Sequence, residues 1–390
     1  MEIAGGFYRE VCEIPTWDEQ MGSGGRAAAA VRALSPGSVL HTYSPPGVGC
    51  GAAVLKALGI DVRVHPSSVG IAFAYFHPLS RPHIEPSPER IPCQPPIYVS
   101  GNAVLRFGFL EGDAIVAADR AIYDPQNGKV PAPFGANGSR ANELALVLNE
   151  RELCTMVRVS DIGAAATELI RSQGASVVVV KQGPLGATVF QPGESPTHIP
   201  AYRSERVFKI GSGDIFSAIF AVQWGEAKLT ASHAADLASR SVSAYCATRR
   251  LPISAATTQN INPVGGELAG AVLLLGAVTT LGRRYTMEEA RFCLGELGVA
   301  VVSPALDRTI VQAGDSLAAL LVLSEGMPED DVDRAIGEHA AHRPVVVLAE
   351  GLSRSHPRAP RPNTSLTDDF TSALYMTVWA AAAASVASCK

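Results

Sequence analysis

Short aliphatic and β-branched runs alternate along this chain with longer stretches rich in Ala and Leu. Apolar runs of about four to eight residues predict strands, and apolar positions recurring every three to four residues predict helices. Strands are expected over residues 1–4, 38–43, 61–64, 71–76, 104–107, 121–123, 145–148 and 176–181, with 185–190 pairing back after the turn at Gly183-Pro184. Helices are expected after the 145–148 strand as far as about 157, and over 24–34, 161–173, 214–224 and 231–248. Residues 77–96 are rich in proline and read as a loop. Residues 251–266 hold two prolines, two asparagines and two glycines and read as a linker. A second cycle follows, with strands over 271–275, 300–303, 317–323 and 345–348 and helices over 287–297, 331–341 and 369–384. The order predicts an α/β protein built as two successive layered units.

Length and composition agree with that division. The chain has 390 residues, and at about 150 residues per domain this suggests two domains, or three. A hydrophobic share of 47% against 18% charged excludes wholesale disorder. The net charge of −5 leaves no basic field for a nucleic acid partner. Apolar runs such as 177–180 and 271–275 are too short to span a bilayer, so no membrane partner is expected. The start MEIAGGFYREVC lacks the basic and apolar regions of a signal peptide. Seven scattered cysteines, none in a CxxC pair, fit free thiols in a cytoplasmic location.

Candidate chemistry concentrates in Lys209-Ile210-Gly211-Ser212-Gly213-Asp214. The helix that follows carries Phe216, Ile219 and Phe220 at core-facing spacing. Glycines at a helix mouth free backbone N–H groups, and the positive end of the helix suits a phosphate anion. Asp214 falls in the first turn, where a carboxylate can take the proton of an attacking hydroxyl. The same residues also read as a Gly-rich turn with Asp as an N-cap. Four further places attract notice: Glu10 after the first strand, Gly24-Gly25 opening a helix, Asn149 with Glu152 after a strand, and the turn Lys181-Gln182-Gly183-Pro184-Leu185-Gly186. By themselves Gly24-Gly25 also read as a helix-start turn, and Asn149 with Glu152 as a capping Asn with a surface Glu.

Taken in order, these segments resemble the ribokinase-like (PfkB) carbohydrate kinases over about residues 1–250. The resemblance implies a three-layer α/β/α domain over 1–255, a linker over 256–266, and ATP- and Mg²⁺-dependent phosphoryl transfer to a hydroxyl of a sugar or nucleoside. It implies Asp214 as catalytic base and Gly211, Ser212 and Gly213 as an anion hole. Glu10, Gly24 and Gly25 would hold the acceptor, and Lys181, Gly183, Gly186 and Lys209 the nucleotide. Asn149 and Glu152 would organise magnesium-bound water. The sequence departs from the family pattern at Phe208 and Lys209, where Asp and Thr are expected, and at Ala29, where Asn is expected. The cover over the acceptor, normally found around residues 44–100, reads as trimmed, and its open edge leaves room for a homodimer.

Residues 267–390 resemble the nucleoside 2-deoxyribosyltransferase-like fold, a smaller Rossmann-like unit. The resemblance rests on Gly276–Gly282, Met287–Arg291, Gly298–Pro304, Leu323-Ser324-Glu325-Gly326, and Asp368–Phe370 with Tyr375 and Trp379. It places the expected Glu nucleophile at Ala335, with Glu329, Asp330, Asp331, Asp333 and Glu338 nearby, so this unit reads as degenerate. Two other readings stay open: a nucleotide- or nucleoside-binding sensor or scaffold, and N-glycosidic cleavage by the second unit through a relocated carboxylate such as Glu325 or Asp333.

Overall fold

Continuous valine and leucine runs become strands buried on both faces, the burial that parallel sheets require. The computed structural model describes residues 1–46, 49–126, 130–268, 270–307, 316–350 and 362–387. The chain divides into unit 1, made of Met1–Gln182, Gly186–Ser204 and Phe208–Ile261, and unit 2, made of Gly183–Leu185, Glu205–Val207 and Asn262–Lys390. The main change of unit falls at Ile261/Asn262, inside the stretch read as a linker. The grouping of two short upstream segments with unit 2 departs from the contiguous boundaries expected at 255 and 267.

Unit 1 begins with β1 (Glu2–Ala4), β2 (Arg9–Cys12), β3 (Trp17–Gln20), α1 (Gly22–Val31), β4 (Val39–Ser44), α2 (Gly49–Ala57) and β5 (Asp61–Pro66). It continues with β6 (Ala72–Tyr75), β7 (His83–Glu85), β8 (Ile97–Phe107), β9 (Ala114–Asp124), β10 (Arg140–Asn149), α3 (Glu150–Val157) and α4 (Ile162–Gln173). It closes with β11 (Val177–Lys181), β12 (Ala187–Phe190), β13 (Thr197–Ile199), α5 (Ser212–Phe220) and α6 (Ala231–Thr248). Among the described residues, a nine-stranded sheet runs β13-β12-β11-β10-β9-β8-β1-β4-β5. It is parallel from β5 through β11, and β12 and β13 add antiparallel.

Alternation along β10 shows why two helical layers form. Ala145 and Val147 join a core with residues of α1, α5 and α6, while Leu144, Leu146 and Leu148 join a second core with residues of α3 and α4. Helices therefore cover both faces, as a three-layer α/β/α arrangement demands.

A separate four-stranded sheet, β3-β2-β6-β7, is built from Arg9–Cys12, Trp17–Gln20, Ala72–Tyr75 and His83–Glu85. It bears out the strand expected over 71–76 as β6 and corrects the reading of residues 77–96 as loop, because β7 lies there. The other two strands precede α1, where no strand pattern was read. β3 is short with mixed burial and lacks the clear alternation that marks a strand in sequence. The strands expected over 104–107 and 121–123 are the buried ends of the eleven-residue β8 and β9.

Unit 2 comprises β14 (Ala271–Gly276), α7 (Leu281–Glu296), β15 (Val301–Val302), α8 (Pro304–Asp307) and β16 (Leu317–Leu323), then α9 (Glu329–His339), β17 (Val345–Leu348), β18 (Thr364–Thr367) and α10 (Phe370–Ala387). Its described strands form an all-parallel sheet in the order β15-β14-β16-β17-β18. Leu273, Leu320, Val322, Val345 and Val347 pack on Val332 and Ile336 of α9. Among the described residues no helix is long and apolar enough to cross a membrane. Cys12, Cys93, Cys154, Cys246 and Cys293 are not joined in disulfides; the side chains of Cys50 and Cys389 lie outside the described residues.

Candidate active site

Asp214 is brought to the cavity of unit 1 by the sharp entry into α5. Gly211 caps that helix with φ +76°, a left-handed value that a side chain resists. A Cβ on Gly211 would stand 2.2 Å from Arg26 Nε, so the guanidinium lies directly against this glycine. Asp214 is 7% exposed, and its carboxylate has two donors. Arg26 Nη1 donates to Oδ2 at 2.8 Å, and Gln126 Nε2 donates to Oδ1 at 2.5 Å. The other end of the Arg26 guanidinium forms a close ion pair with Glu10. Burial by itself raises the pKa of Glu10, and Arg26 opposes that rise. Burial works against the charge of Arg26, but Glu10, Tyr245 and Asp214 outweigh it and hold the guanidinium protonated.

Two lysines approach the same helix mouth. Lys181 Nζ donates to Asp124 Oδ2 at 2.6 Å, which also accepts from Ser217 Oγ at 2.6 Å. Asp124 Oδ1 is buried with no hydrogen-bond partner among the described residues. Burial raises the pKa of Asp124, opposed by Lys181. Burial disfavours the charge of Lys181, but Asp124 and Glu152 push its pKa up overall. Lys209 Nζ donates to Ser212 Oγ at 2.7 Å. Burial pushes the Lys209 ammonium down, and the charge of Lys181 adds to the effect. An idealised Cβ on Gly213 would lie 3.7 Å from Lys181 Nζ. Two ammonium groups beside the positive end of a helix make an anion-attracting corner.

The cavity holds about 630 Å³. Its wall includes Glu10, Tyr75, Arg106, Tyr123, Gln126 and Asp214. The four-stranded sheet contributes Glu10 and Tyr75; the C-terminal ends of β8 and β9 contribute Arg106 and Tyr123. A volume of small-molecule size, carboxylates and aromatic faces thus meet at one end of α5.

Several expected residues sit differently. Gly24 N–H donates to Gly6 O at 2.9 Å, and a Cβ on Gly24 would stand 2.5 Å from Gly5 O. A Cβ on Gly25 would stand 2.7 Å from the Phe7 ring. These glycines let α1 abut the end of β1, and the cavity wall is formed instead by Gly22 and Ser23. Ser212 is engaged twice, by Lys209 Nζ at its hydroxyl and by Lys209 O at its own N–H (3.1 Å), which removes it from an open anion hole. Gly186 has φ +100°, and its Cβ would stand 2.0 Å from Ile199 O, so tight backbone packing accounts for this glycine. Gly183 groups with unit 2 rather than with Lys181.

Asn149 and Glu152 form a reciprocal capping box. Asn149 Oδ1 accepts from Glu152 N–H at 2.8 Å, and Glu152 Oε2 accepts from Asn149 N–H at 2.9 Å. Glu152 is nonetheless buried, and its charge is felt at Lys181. Asp124, Glu152 and Asp214 each already hold a donor, so they make no all-protein cage. They remain compatible with a Mg²⁺ that keeps its waters and binds chiefly through phosphate oxygens.

Sequence reasoning missed Arg26, Asp124, Gln126 and Ser217. Arg26 had a visible signal, a lone cation ahead of the run Ala27–Ala30 in a fully buried helix. The others lie on separate elements with no shared spacing.

Unit 2 holds a second cavity of about 360 Å³ at the C-terminal ends of β14, β16 and β17. The strand order reverses between β14 and β16, the switch point where open α/β sheets hold ligands. The wall carries Arg283, Glu325 and Glu350. Burial raises the pKa of Glu350, and Glu325 and Asp369 add to the rise. Ala335 is buried in α9. Glu329, Asp330, Asp331, Asp333 and Glu338 are absent from the cavity wall, whereas Glu350, not anticipated, stands on it.

No protein-family model matches the chain, and no curated protein matches it. Solved structures with a similar fold include a pyrophosphate-dependent kinase in the ribokinase family, complexed with a pyrophosphate analogue and myo-inositol. It is 16% identical at TM-score 0.46, over 66% of this chain and 97% of that chain. Phosphofructokinase-2 from Escherichia coli is 15% identical at TM-score 0.48, over 67% and 97% of the two chains. Fructokinase from Vibrio cholerae is 15% identical at TM-score 0.48, over 67% and 99%. Likenesses at this level carry no inference about chemistry.

Proposed function

We propose that unit 1 transfers a phosphoryl group from ATP, with Mg²⁺, to a hydroxyl of a sugar or nucleoside held in the 630 Å³ cavity. The observation that carries this reading is Asp214, on the cavity wall in the first turn of α5, with Lys181 and Lys209 beside the same turn. The acceptor hydroxyl gives its proton to Asp214 as its oxygen bonds to phosphorus and the bond to the leaving phosphate breaks. A loose transition state asks little basicity of the carboxylate, so a base paired with Arg26 suffices. The helix mouth and the two lysines offset charge on the transferred group. Bound Mg²⁺ would neutralise the donor phosphates. Asn149 and Glu152 are proposed to act on it through water, and Glu10 to accept a hydrogen bond from the acceptor.

Donor consumption measured against a panel of sugars and nucleosides tests the reading. Asp214→Asn is expected to lower kcat by about 10²–10⁴ while acceptor binding survives. Undiminished turnover in that variant would exclude Asp214 as the base.

A second reading, a nucleotide- or nucleoside-binding sensor, is favoured by the double engagement of Asp214 with Arg26 and Gln126. Saturable binding with no turnover of any acceptor would select it. For unit 2 we propose a nucleoside-like ligand at Glu325 and Glu350 without bond cleavage, because Ala335 offers no nucleophile. Release of free base that survives Asp214→Asn would establish cleavage instead.

A further inference from the structure

The charged cluster of unit 1 contains a cation that the proposed chemistry does not use. Arg26 is 1% exposed, on a helix where two glycines precede it and four alanines follow it. Placing a guanidinium there is costly unless every nearby element is built to receive it. Four elements are. Gly22 O accepts from Nη1 at 3.4 Å, and Glu10 of β2 binds both terminal nitrogens. Asp214 of α5 accepts at 2.8 Å, and Tyr245 of α6 faces the same charge. Gly211 makes room: a Cβ there would meet Arg26 Nε, Cδ and Cζ at 2.2–2.3 Å. The left-handed glycine that starts α5 is therefore also the floor on which the guanidinium lies.

We propose that Arg26 is the positioning residue of this site, tying the acceptor-side acid Glu10 to the base Asp214 and fixing the base against Gly211. The inference rests on the phosphoryl-transfer reading. With one Asp214 oxygen held by Arg26 and the other by Gln126, the carboxylate plane is set from both sides. Its remaining lone pairs are left for an incoming hydroxyl. Anything that binds Glu10 acts on Asp214 through the shared guanidinium. A packing role would need neither the paired acids nor the glycine floor.

The groups facing Asp214 are Arg26 from α1, Gln126 after β9, and, at longer range, Glu10, Asp124, Lys181, Lys209 and Tyr75. Among these Arg26 is the cation in direct contact, and only its fork reaches both acids at once. The test uses the full chain with Arg26→Lys and Arg26→Ala. For Arg26→Lys, which keeps the charge but loses the fork, the expected result is a kcat about 10–100-fold lower and an unchanged KM for the donor. Guanidinium ion added at millimolar concentration should restore part of kcat to Arg26→Ala and none to Asp214→Asn.

Crystal structures of wild type and Arg26→Lys supply a readout independent of turnover. If turnover exists but kcat and the place of the Asp214 carboxylate are unchanged in Arg26→Lys, the positioning role is refuted and phosphoryl transfer stands. If no acceptor turns over yet the carboxylate leaves Gly211 in Arg26→Lys, the catalytic reading fails while the coupling holds.

Discussion

Replacing Lys181 by Met is the sharpest probe of how this site is held together. Asp124 is 1% exposed, and its Oδ2 carries both the Lys181 ammonium and the Ser217 hydroxyl, each at 2.6 Å. Its Oδ1 has no partner among the described residues. Methionine keeps much of the volume of lysine but removes the charge. A buried carboxylate is then left with one hydroxyl donor. Breaking a buried pair from one side costs about 3–5 kcal/mol, a large fraction of the roughly 5–15 kcal/mol that holds a typical domain. Chemical denaturation of the full chain, followed by circular dichroism, measures it.

The pH dependence supplies a second criterion. Burial raises the native pKa of Asp124 above the ordinary 3.8 even with Lys181 present. Without the lysine that rise grows. A raised carboxyl binds more protons in the folded state, so the stability of the variant should improve as pH falls and worsen as pH rises through the native pKa. The deficit is therefore expected to be larger at pH 8 than at pH 5. Adding Asp124→Asn to Lys181→Met should recover most of the loss. A loss under about 1 kcal/mol, or one independent of pH, would refute the claim that this pair is electrostatically coupled in the folded protein.

Other outcomes follow from the same structure. Lys209 has a lowered pKa through burial and Lys181. Donor KM should therefore climb on the alkaline side at a lower pH than an ordinary lysine would give, and Lys209→Gln should flatten that climb. Gly186→Ala, with its Cβ directed at Ile199 O 2.0 Å away, is expected to cost about 2–5 kcal/mol, read as a lower denaturation midpoint. Burial pushes the Cys246 thiol up to about 11. A thiol reagent at pH 8 should therefore label exposed Cys93 rapidly and Cys246 only as the chain opens.

What the chain determined locally was the list of elements and the position of its most chemical turn. Runs such as Val177–Lys181 carry their burial in their composition, and Gly211 ahead of Asp214 signals a helix mouth from nearest neighbours. The strand order and the partners of each charge came only with tertiary structure. Arg26, Glu10, Gln126 and Asp214 lie on four different segments, and no spacing in the chain links them. The glycines show the same division. Gly24 and Gly186 look alike in sequence to glycines that cradle a ligand, yet the first meets Gly5 and the second Ile199. Of the small sheet that walls the cavity only the strand at 71–76 was legible; the others are short, and pairing across more than fifty residues joins Arg9 to Ala72. Periodicity reports which face of an element is dry, because burial acts on each residue separately. Which acid meets which base depends on how distant segments close on one another, and that is decided by packing.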